Sequence, residues 1–363
     1  MKLPSNTKQY LTLLILILFS FAFNSCIEDI FGPERDDPID FNYEMWAVRS
    51  DGSDSTKIAD GGRLCAFLPE ANKILYLSSP YQTIGLNTIN LDGTGQSFLW
   101  KDDYWDINKF SYSPDNSKIL LPTDYNGLYE LDSRSLRLKQ ILKSNYHTTP
   151  QGNVGYNPVG SACYSKSMTR IVYQDNSGIT IIGSSVNSPI IDKPVTIRKS
   201  SDSLEVKSPG FIFNDTQVIY LERTKTWPPS DLYSLRSYSL KTGSDSELIN
   251  PNSIPLYGEH FEVIDENRII CLVRENNKYF VKIIDLADNF RTVALGEGQN
   301  FSLSPGRSKV IIYDDKSFYS INPDGTDRRL IYTETGDKVK LTMASLSFDG
   351  RYIVFGRSID VRH

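Results

Sequence analysis

The stretch FSLSPGRSKVIIY, Phe301–Tyr313, decides the fold. Its first half alternates apolar and polar residues, the pattern of a half-buried strand. Ser-Pro-Gly-Arg-Ser then makes a tight polar turn, because Pro and Gly supply backbone geometries that other residues adopt at a cost. The second half, Val-Ile-Ile-Tyr, is a run of β-branched and aromatic residues suited to a pleated, buried surface.

The same motif recurs along the chain. Clear copies are FSYSPDNSKILLP at Phe110–Pro122 and ASLSFDGRYIVFG at Ala344–Gly356, and weaker ones are CAFLPEANKILYL from Cys65, ACYSKSMTRIVYQ from Ala162, GFIFNDTQVIYLE from Gly210 and FEVIDENRIICLV from Phe261. The seven starts are spaced by 45, 52, 48, 51, 40 and 43 residues, the period of propeller blades at about 40–50 residues. A second hairpin follows each start, as in GLYELDS with LKQIL and in SFYSINPDGTDRRLIY. Four short strands with Asp-Gly or Asn/Asp-rich turns make one antiparallel blade. A lone blade cannot bury both faces, so blades must stack around an axis.

The seventh unit ends at His363 after two strands, and a matching hairpin, YEMWAVRSDGSDSTKIA at Tyr43–Ala59, stands near the start of the chain. The expectation is an all-β, seven-bladed β-propeller of four-stranded antiparallel blades, closed by N- and C-terminal strands sharing one blade. Closure of this kind removes exposed sheet edges. Met45–Val48 should then lie beside Tyr352–Phe355.

The pattern S-x-S-P-D/G-x-S-K followed by three apolar residues, with a later Asp-Gly hairpin, resembles the WD-repeat-like propeller repeats of the TolB group. Related repeats form the propeller of prolyl-oligopeptidase-type peptidases. The resemblance covers essentially Tyr43 to His363 and implies the fold; such folds host many unrelated activities. Seven units are counted here where TolB-type proteins have six.

The N-terminus reads separately. Lys2 and Lys8 precede a 13-residue apolar run, Leu11–Phe23, too short to span a bilayer but suited to a secretory signal. The run ends at Phe23-Asn24-Ser25-Cys26, which resembles the lipobox of bacterial lipoproteins and implies acylation of Cys26. Each buried CH₂ of such an anchor contributes about 0.8 kcal/mol. Expected divisions are a signal peptide over 1–25, an acidic tether over 26–42 and a propeller over 43–363. Glu28-Asp29 resembles the acidic export signal of surface-exposed lipoproteins, so the expected location is the outer membrane, on its periplasmic or cell-surface face.

Composition excludes one class of partner. Beyond residue 25 the chain carries 37 basic and 44 acidic residues, a net charge of −7, with no basic stripe to release phosphate counterions, so nucleic acid is not expected. Cys65, Cys163 and Cys271 each sit in an apolar run and read as core thiols; their spacing matches no CxxC-type motif.

With strands a to d numbered from the axis outward, a–b and c–d turns share one end of the sheets, and b–c and d–a loops share the other. The first set is mostly short, and its recurrent Asp92, Asp115, Asp324 and Asp349 read as turn residues. The second set holds longer loops, over 78–85, 100–108, 144–160, 223–231 and 250–260, where function concentrates. Tyr81, Trp100, Tyr104, Trp105, Tyr146, His147, Tyr156, Trp227, Tyr257 and His260 form the candidate binding face. Rigid aromatics give contact area at low entropy cost; alternatively, several of these rings fold back over the blade ends.

Catalytic motifs are sparse. There are three histidines, His147, His260 and His363. Seven-bladed oligogalacturonate lyases share this repeat style, but their multi-His metal cluster has no evident counterpart. No G-x-S-x-G elbow or sialidase Asp-box is present. The expected role is a non-catalytic binding or scaffold module for an envelope protein or glycan, touching the membrane only through its lipid, with no cofactor, no catalytic residues and no metal. The alternative is a polysaccharide-acting lyase or hydrolase with its site at the propeller mouth.

Overall fold

In the turn of the repeat, the serine at its start organises the backbone. Ser304 Oγ accepts from the N–H groups of Ser308 and Lys309, at 3.0 and 3.1 Å. Ser113 accepts from Lys118 at 2.9 Å, Ser165 from Arg170 at 3.1 Å and Ser347 from Tyr352 at 3.0 Å. One hydroxyl per turn thus satisfies backbone donors that the hairpin leaves over. A computed structural model describes residues 41–68, 73–78, 85–101, 107, 109–123, 126–143, 146–148, 154–156, 158–184, 194–225 and 231–360. The expected signal peptide, Cys26 and most of the expected tether lie outside these residues.

The described chain is all β, with no helix among the described residues. It opens with β1 (Phe41–Arg49) and β2 (Thr56–Asp60). The first full sheet is β3 (Gly62–Leu68), β4 (Lys73–Ser78), β5 (Gly85–Asn90) and β6 (Ser97–Lys101); the second is β7 (Ser111–Tyr112), β8 (Lys118–Thr123), β9 (Gly127–Asp132) and β10 (Leu138–Lys143). A separate hairpin, β11 (Tyr146–Thr148) with β12 (Val154–Tyr156), precedes the third sheet of β13 (Val159–Tyr164), β14 (Arg170–Asp175), β15 (Gly178–Gly183) and β16 (Val195–Lys199). The fourth is β17 (Leu204–Ile212), β18 (Gln217–Thr224), β19 (Leu232–Ser239) and β20 (Asp245–Ile249); the fifth is β21 (Leu256–Val263), β22 (Arg268–Glu275), β23 (Lys278–Asp285) and β24 (Arg291–Glu297). These two merge through a two-residue ladder between β19 and β21. The sixth is β25 (Asn300–Leu303), β26 (Val310–Tyr313), β27 (Ser317–Ile321) and β28 (Arg329–Thr333). Last come β29 (Val339–Leu346) and β30 (Tyr352–Asp360), which join the opening hairpin in the order β2-β1-β30-β29.

That last order places β1 next to β30, as the terminal repeats lead one to expect. The Ser50 N–H donates to Arg351 C=O at 2.8 Å. The turn of the β1–β2 hairpin also matches the third-to-fourth-strand turns elsewhere. Asp51 accepts from Ser53 N–H at 2.9 Å, as Asp92 and Asp324 do from Thr94 and Thr326 at the same distance. Gly52 and Gly93 follow with φ of +87° and +81°. Added Cβ atoms there would sit 2.9 Å from Ile331 O and 3.0 Å from Ile58 O, so each turn abuts the last strand of another sheet.

Burial follows sheet order. One core cluster packs Leu75, Leu77 and Leu86 of the first sheet against Ile119, Leu121 and Leu131 of the second. Others lie between second and third, third and fourth, fourth and fifth, fifth and sixth, and sixth and last sheets. A further cluster sets Met45, Ile58 and Val354 of the last sheet against Phe67, Ile74 and Tyr76 of the first. Each sheet therefore has both faces covered, which lets its second strand carry a continuous apolar run, such as Ile74–Leu77 or Ile269–Val273.

The a–b and c–d turns are mostly short, as expected, with one long exception. The connection between β15 and β16, residues 184–194, is a long c–d segment. At the opposite end, residues 276–277 alone join β22 to β23 and Gly61 alone joins β2 to β3. The long loops thus gather in the first five sheets rather than around the whole end, because chain length there varies sheet by sheet while strand pairing does not.

Candidate binding site in the central cavity and at its rim

The first strands of the seven sheets line one cavity of about 1430 Å³. Five of them change register against the second strand just before the repeat start: between Gly62 and Cys65, Val159 and Ser161, Lys207 and Gly210, Tyr257 and Phe261, and Leu341 and Met343. Bulges bend a strand, add twist and re-aim side chains, and they gather at barrel rims and binding sites. Within two of them Ser208 (φ +50°) and Gly258 (φ +80°) adopt the left-handed conformation. The bulges set the loop end of the cavity apart from the turn end, where plain hairpins close the strands.

Charged side chains line this cavity in pairs. Lys207 Nζ lies 2.5 Å from Glu259 and 3.2 Å from Glu205, and Glu205 also accepts from Arg223 and from the Tyr233 hydroxyl. Burial pushes the Glu205 pKa up, but Lys207 and Arg223 outweigh it and hold the carboxyl below its ordinary value. At the turn end Lys166 pairs with Glu266, while Asp215 accepts from the N–H groups of Lys166 and Ser167 at 2.6 and 2.8 Å. Arg268 pairs with Asp265 at 2.7 Å and Arg307 donates to Ile264 C=O at 3.1 Å. Lys109, just before β7, reaches Glu262 of β21 at 3.2 Å.

The thiols are silent at neutral pH. Burial pushes Cys65 and Cys271 up to about 12 and Cys163 up to about 11. All three are free; Cys65 and Cys271 are buried, whereas Cys163 is only half-buried and lines the cavity. Cys163, read as a core thiol, packs against the cluster between the third and fourth sheets and also forms part of the cavity wall. Burial also raises Tyr112, whose hydroxyl donates to Phe67 C=O at 2.9 Å, and Tyr313.

Of the sequence-derived binding face, Trp100 on β6 is half-buried against the first core cluster, its ring 4.9 Å from Tyr129. Tyr257 on β21 lies 4.5 Å from Tyr279; their hydroxyl hydrogen bond, with burial, raises the Tyr257 pKa. Tyr146 and His147 belong to β11, whose backbone pairs with β12, Tyr146 standing opposite Tyr156 in the ladder. His260 falls within the bulged part of β21. Tyr81, Tyr104, Trp105 and Trp227 lie outside the described residues. Among the described residues no group of three or more His, Cys, Asp and Glu side chains is placed to hold a metal ion.

The sequence reading missed the cavity charges. One signal was available: aligned on the repeat, Glu262 takes the place of Ser111, Ser302 and Ser345.

No protein-family model and no curated protein matches this chain. Among solved structures, the tricorn protease matches with a TM-score of 0.53 at 11% identity, over 82% of this chain and 36% of that one. The β-propeller domain of Myceliophteria thermophila Cps50 (Swd1) matches at 0.50 and 9% identity, over 83% of this chain and 97% of that one. The chain has a β-propeller fold. A putative TolB from Agrobacterium tumefaciens is also similar, at 0.46 and 11% identity over 88% and 99% of the two chains. On this propeller the first strands are the inner ones, and exposed Phe98, Val195 and Leu330 belong to β6, β16 and β28, each the last of its sheet.

Proposed function

We propose that this chain is a lipid-anchored envelope β-propeller acting as a non-catalytic binding or scaffold module, with an envelope protein or glycan as its partner. In this reading it has seven blades, closed by β1 and β2 completing the sheet of β29 and β30. Seven interlocking core clusters, one of them joining the last sheet to the first, support the count and the closure. Cys26 carries the anchor, residues 26–42 form the tether, and the partner meets the end that bears the long loops and the bulges.

The observation that carries a non-catalytic role is the pairing of charge in the cavity. Among the described lining residues every lysine and arginine already has a carboxylate or carbonyl partner. A lyase or hydrolase acting on acidic glycans would need cations free to bind carboxylates and a titratable group near neutrality. Here the thiols stay protonated and Asp265 stays ionised, since the Asn267 N–H and Arg268 together outweigh its burial.

The test is a pull-down from intact envelope with the lipidated chain. Trp105→Ala and Trp227→Ala are expected to lose the captured partner while circular dichroism and the unfolding midpoint stay unchanged. Full capture by both folded variants would refute the assigned face. Turnover of an acidic-glycan panel by the wild-type protein would refute the non-catalytic role. Protease shaving of whole cells distinguishes the two membrane faces.

A further inference from the structure

The outer edge of the sheets is divided by charge. The last strands of the first three sheets, β6, β10 and β16, carry Lys101, Lys139, Lys143, Arg198 and Lys199 and no Asp or Glu. Those of the other four, β20, β24, β28 and β2, carry Asp60, Asp245, Glu247 and Glu297 against three cations. Each of these three has a carboxylate: Lys57 has Glu44 and Asp60, Arg291 has Asp288, and Arg329 has Asp327. On the first three sheets Arg198 is held by Glu222. Among the described residues no ion pair takes up Lys139, Lys143, Lys199 or Arg137, which stands just before β10, and all four are exposed. Lys139 is opposite Glu130 in the ladder, but that carboxylate is buried and accepts from the Tyr164 hydroxyl.

The first three sheets are consecutive, packed through the cores between first and second and between second and third. At a spacing of about 10 Å per pair of sheets, their outer edges make one arc some 20 Å wide. Two of the three large apolar side chains exposed among the described residues, Phe98 and Val195, flank β10 on this arc. A single exposed apolar residue calls for no explanation. Here two stand beside unpaired cations, in a chain whose net charge is −5. Lysines on an open sheet edge also guard against strand pairing. All seven sheets share that need, so it does not account for free cations gathered on three neighbours. Protruding apolar groups among cations are the chemistry of a surface that meets lipid headgroups: the cations find phosphate and the apolar groups reach the acyl boundary. An edge three sheets wide fits a broad surface better than a single extended chain.

We propose that the arc formed by β6, β10 and β16 docks on a phosphate-bearing membrane surface. Arg137, Lys139, Lys143 and Lys199 lie over the headgroup phosphates, and Phe98 and Val195 enter the interface. Membrane contact then extends beyond the acyl group expected at Cys26. It turns the outer edge of the sheets towards the bilayer and leaves the loop end open to a partner. Each cation near anionic headgroups strengthens such a contact about fivefold, so the three in and beside β10 account for roughly a hundredfold.

The test is hydrogen–deuterium exchange of the purified full chain on two kinds of vesicle, pure phosphatidylcholine and phosphatidylcholine with one third phosphatidylglycerol. Amides of Arg137–Lys143 and Val195–Lys199 are expected to exchange at least about fivefold more slowly on the anionic vesicles. Those of β28, outside the arc, should exchange equally on both. Salt that cuts the screening length to a few ångströms should abolish the difference. The triple variant Arg137→Gln, Lys139→Gln, Lys143→Gln should lose it while circular dichroism and the unfolding midpoint stay unchanged. Phe98→Ser with Val195→Ser should lose most of it. Flotation with pure phosphatidylcholine reports the acyl anchor alone, and Trp105→Ala should leave the difference unchanged, so failures of anchor, loop end and arc are separable. Equal exchange on the two vesicles, slowing of β28 to the same degree, or a difference that survives in the triple glutamine variant would overturn the proposal. An arc made for an acidic protein would give the first of these results.

Discussion

The two ends of the sheets use carboxylates differently. At the turn end, aspartates bind backbone: Asp115 accepts from Ser117 N–H at 3.0 Å, and Asp349 from Arg351 N–H at 3.0 Å, each two residues away. At the loop end, glutamates bind cationic side chains distant in sequence. Glu44 and Glu334 both hold Arg357, at 3.0 and 2.8 Å, while its guanidinium lies 4.9 Å from the Trp46 ring. Glu259 holds Lys207 in the same manner, at 2.5 Å. The short carboxylates at these turns fix their own hairpins and the long ones here tie strands together, while at the turn end Asp215 and Glu266 also join sheets by way of Lys166 and Ser167.

The largest expected effect follows from breaking the loop-end network. Arg357→Ala leaves Glu334, whose side chain is 5% exposed, without its cation. Removing one partner of a buried pair costs about 3–5 kcal/mol; partial exposure of Arg357 places this case near the low end, about 3 kcal/mol in urea unfolding. A loss below about 1 kcal/mol would show that the network ties nothing together.

The same network sets a pH dependence. Burial raises the Glu334 pKa, but the Gly336 N–H and Arg357 outweigh it, and Glu44 is lowered against its own burial by Lys57, Trp46 and Arg357. Both folded values lie below the ordinary 4.5, so their contribution is fully present above that pH. It is lost as pH falls through the folded values. The unfolding midpoint of the wild type should therefore drop below about pH 4.5, and Arg357→Met should flatten that drop.

Turn-end substitutions should do less. Gly93→Ala forces a side chain onto φ +81° and against Ile58 O at 3.0 Å, a strain of about 1–2 kcal/mol. Ser113→Ala removes the acceptor for the Lys118 N–H and should cost about 1 kcal/mol. Leu330→Ser, on an outer strand and half-exposed, should change stability by less than about 0.5 kcal/mol. If Gly93→Ala proved more damaging than Arg357→Ala, the contrast between the ends would be reversed.

This contrast also explains what the sequence made legible. The repeat starts at 65, 210 and 261 coincide with the ends of bulges and those at 162 and 344 fall one residue after them, and the Asp-Gly turns fall where they were read, because both depend on residues a few positions apart. The hairpin of β1 with β2 was legible through its resemblance to the Asp324-Gly325 turn. The Lys109–Glu262 pair was not, since it depends on which sheets face each other across the cavity. The β11–β12 hairpin inside a loop, and the long connection at 184–194, carried no repeat to betray them. Trp100 read as a rim residue because its strand ends at a long loop; its position against Tyr129 depends on the neighbouring sheet.

The central claim is that the opening hairpin completes the final sheet, so that seven sheets surround one cavity. Spin labels at Asp60 of β2 and Lys340 of β29, both exposed, test it by a pulsed electron-resonance distance. With the order β2-β1-β30-β29, the two backbones stand three strand spacings apart, about 14–15 Å, and a single narrow distribution at short distance is expected. A broad distribution centred well beyond that separation would contradict the closure and every assignment of ends built on it.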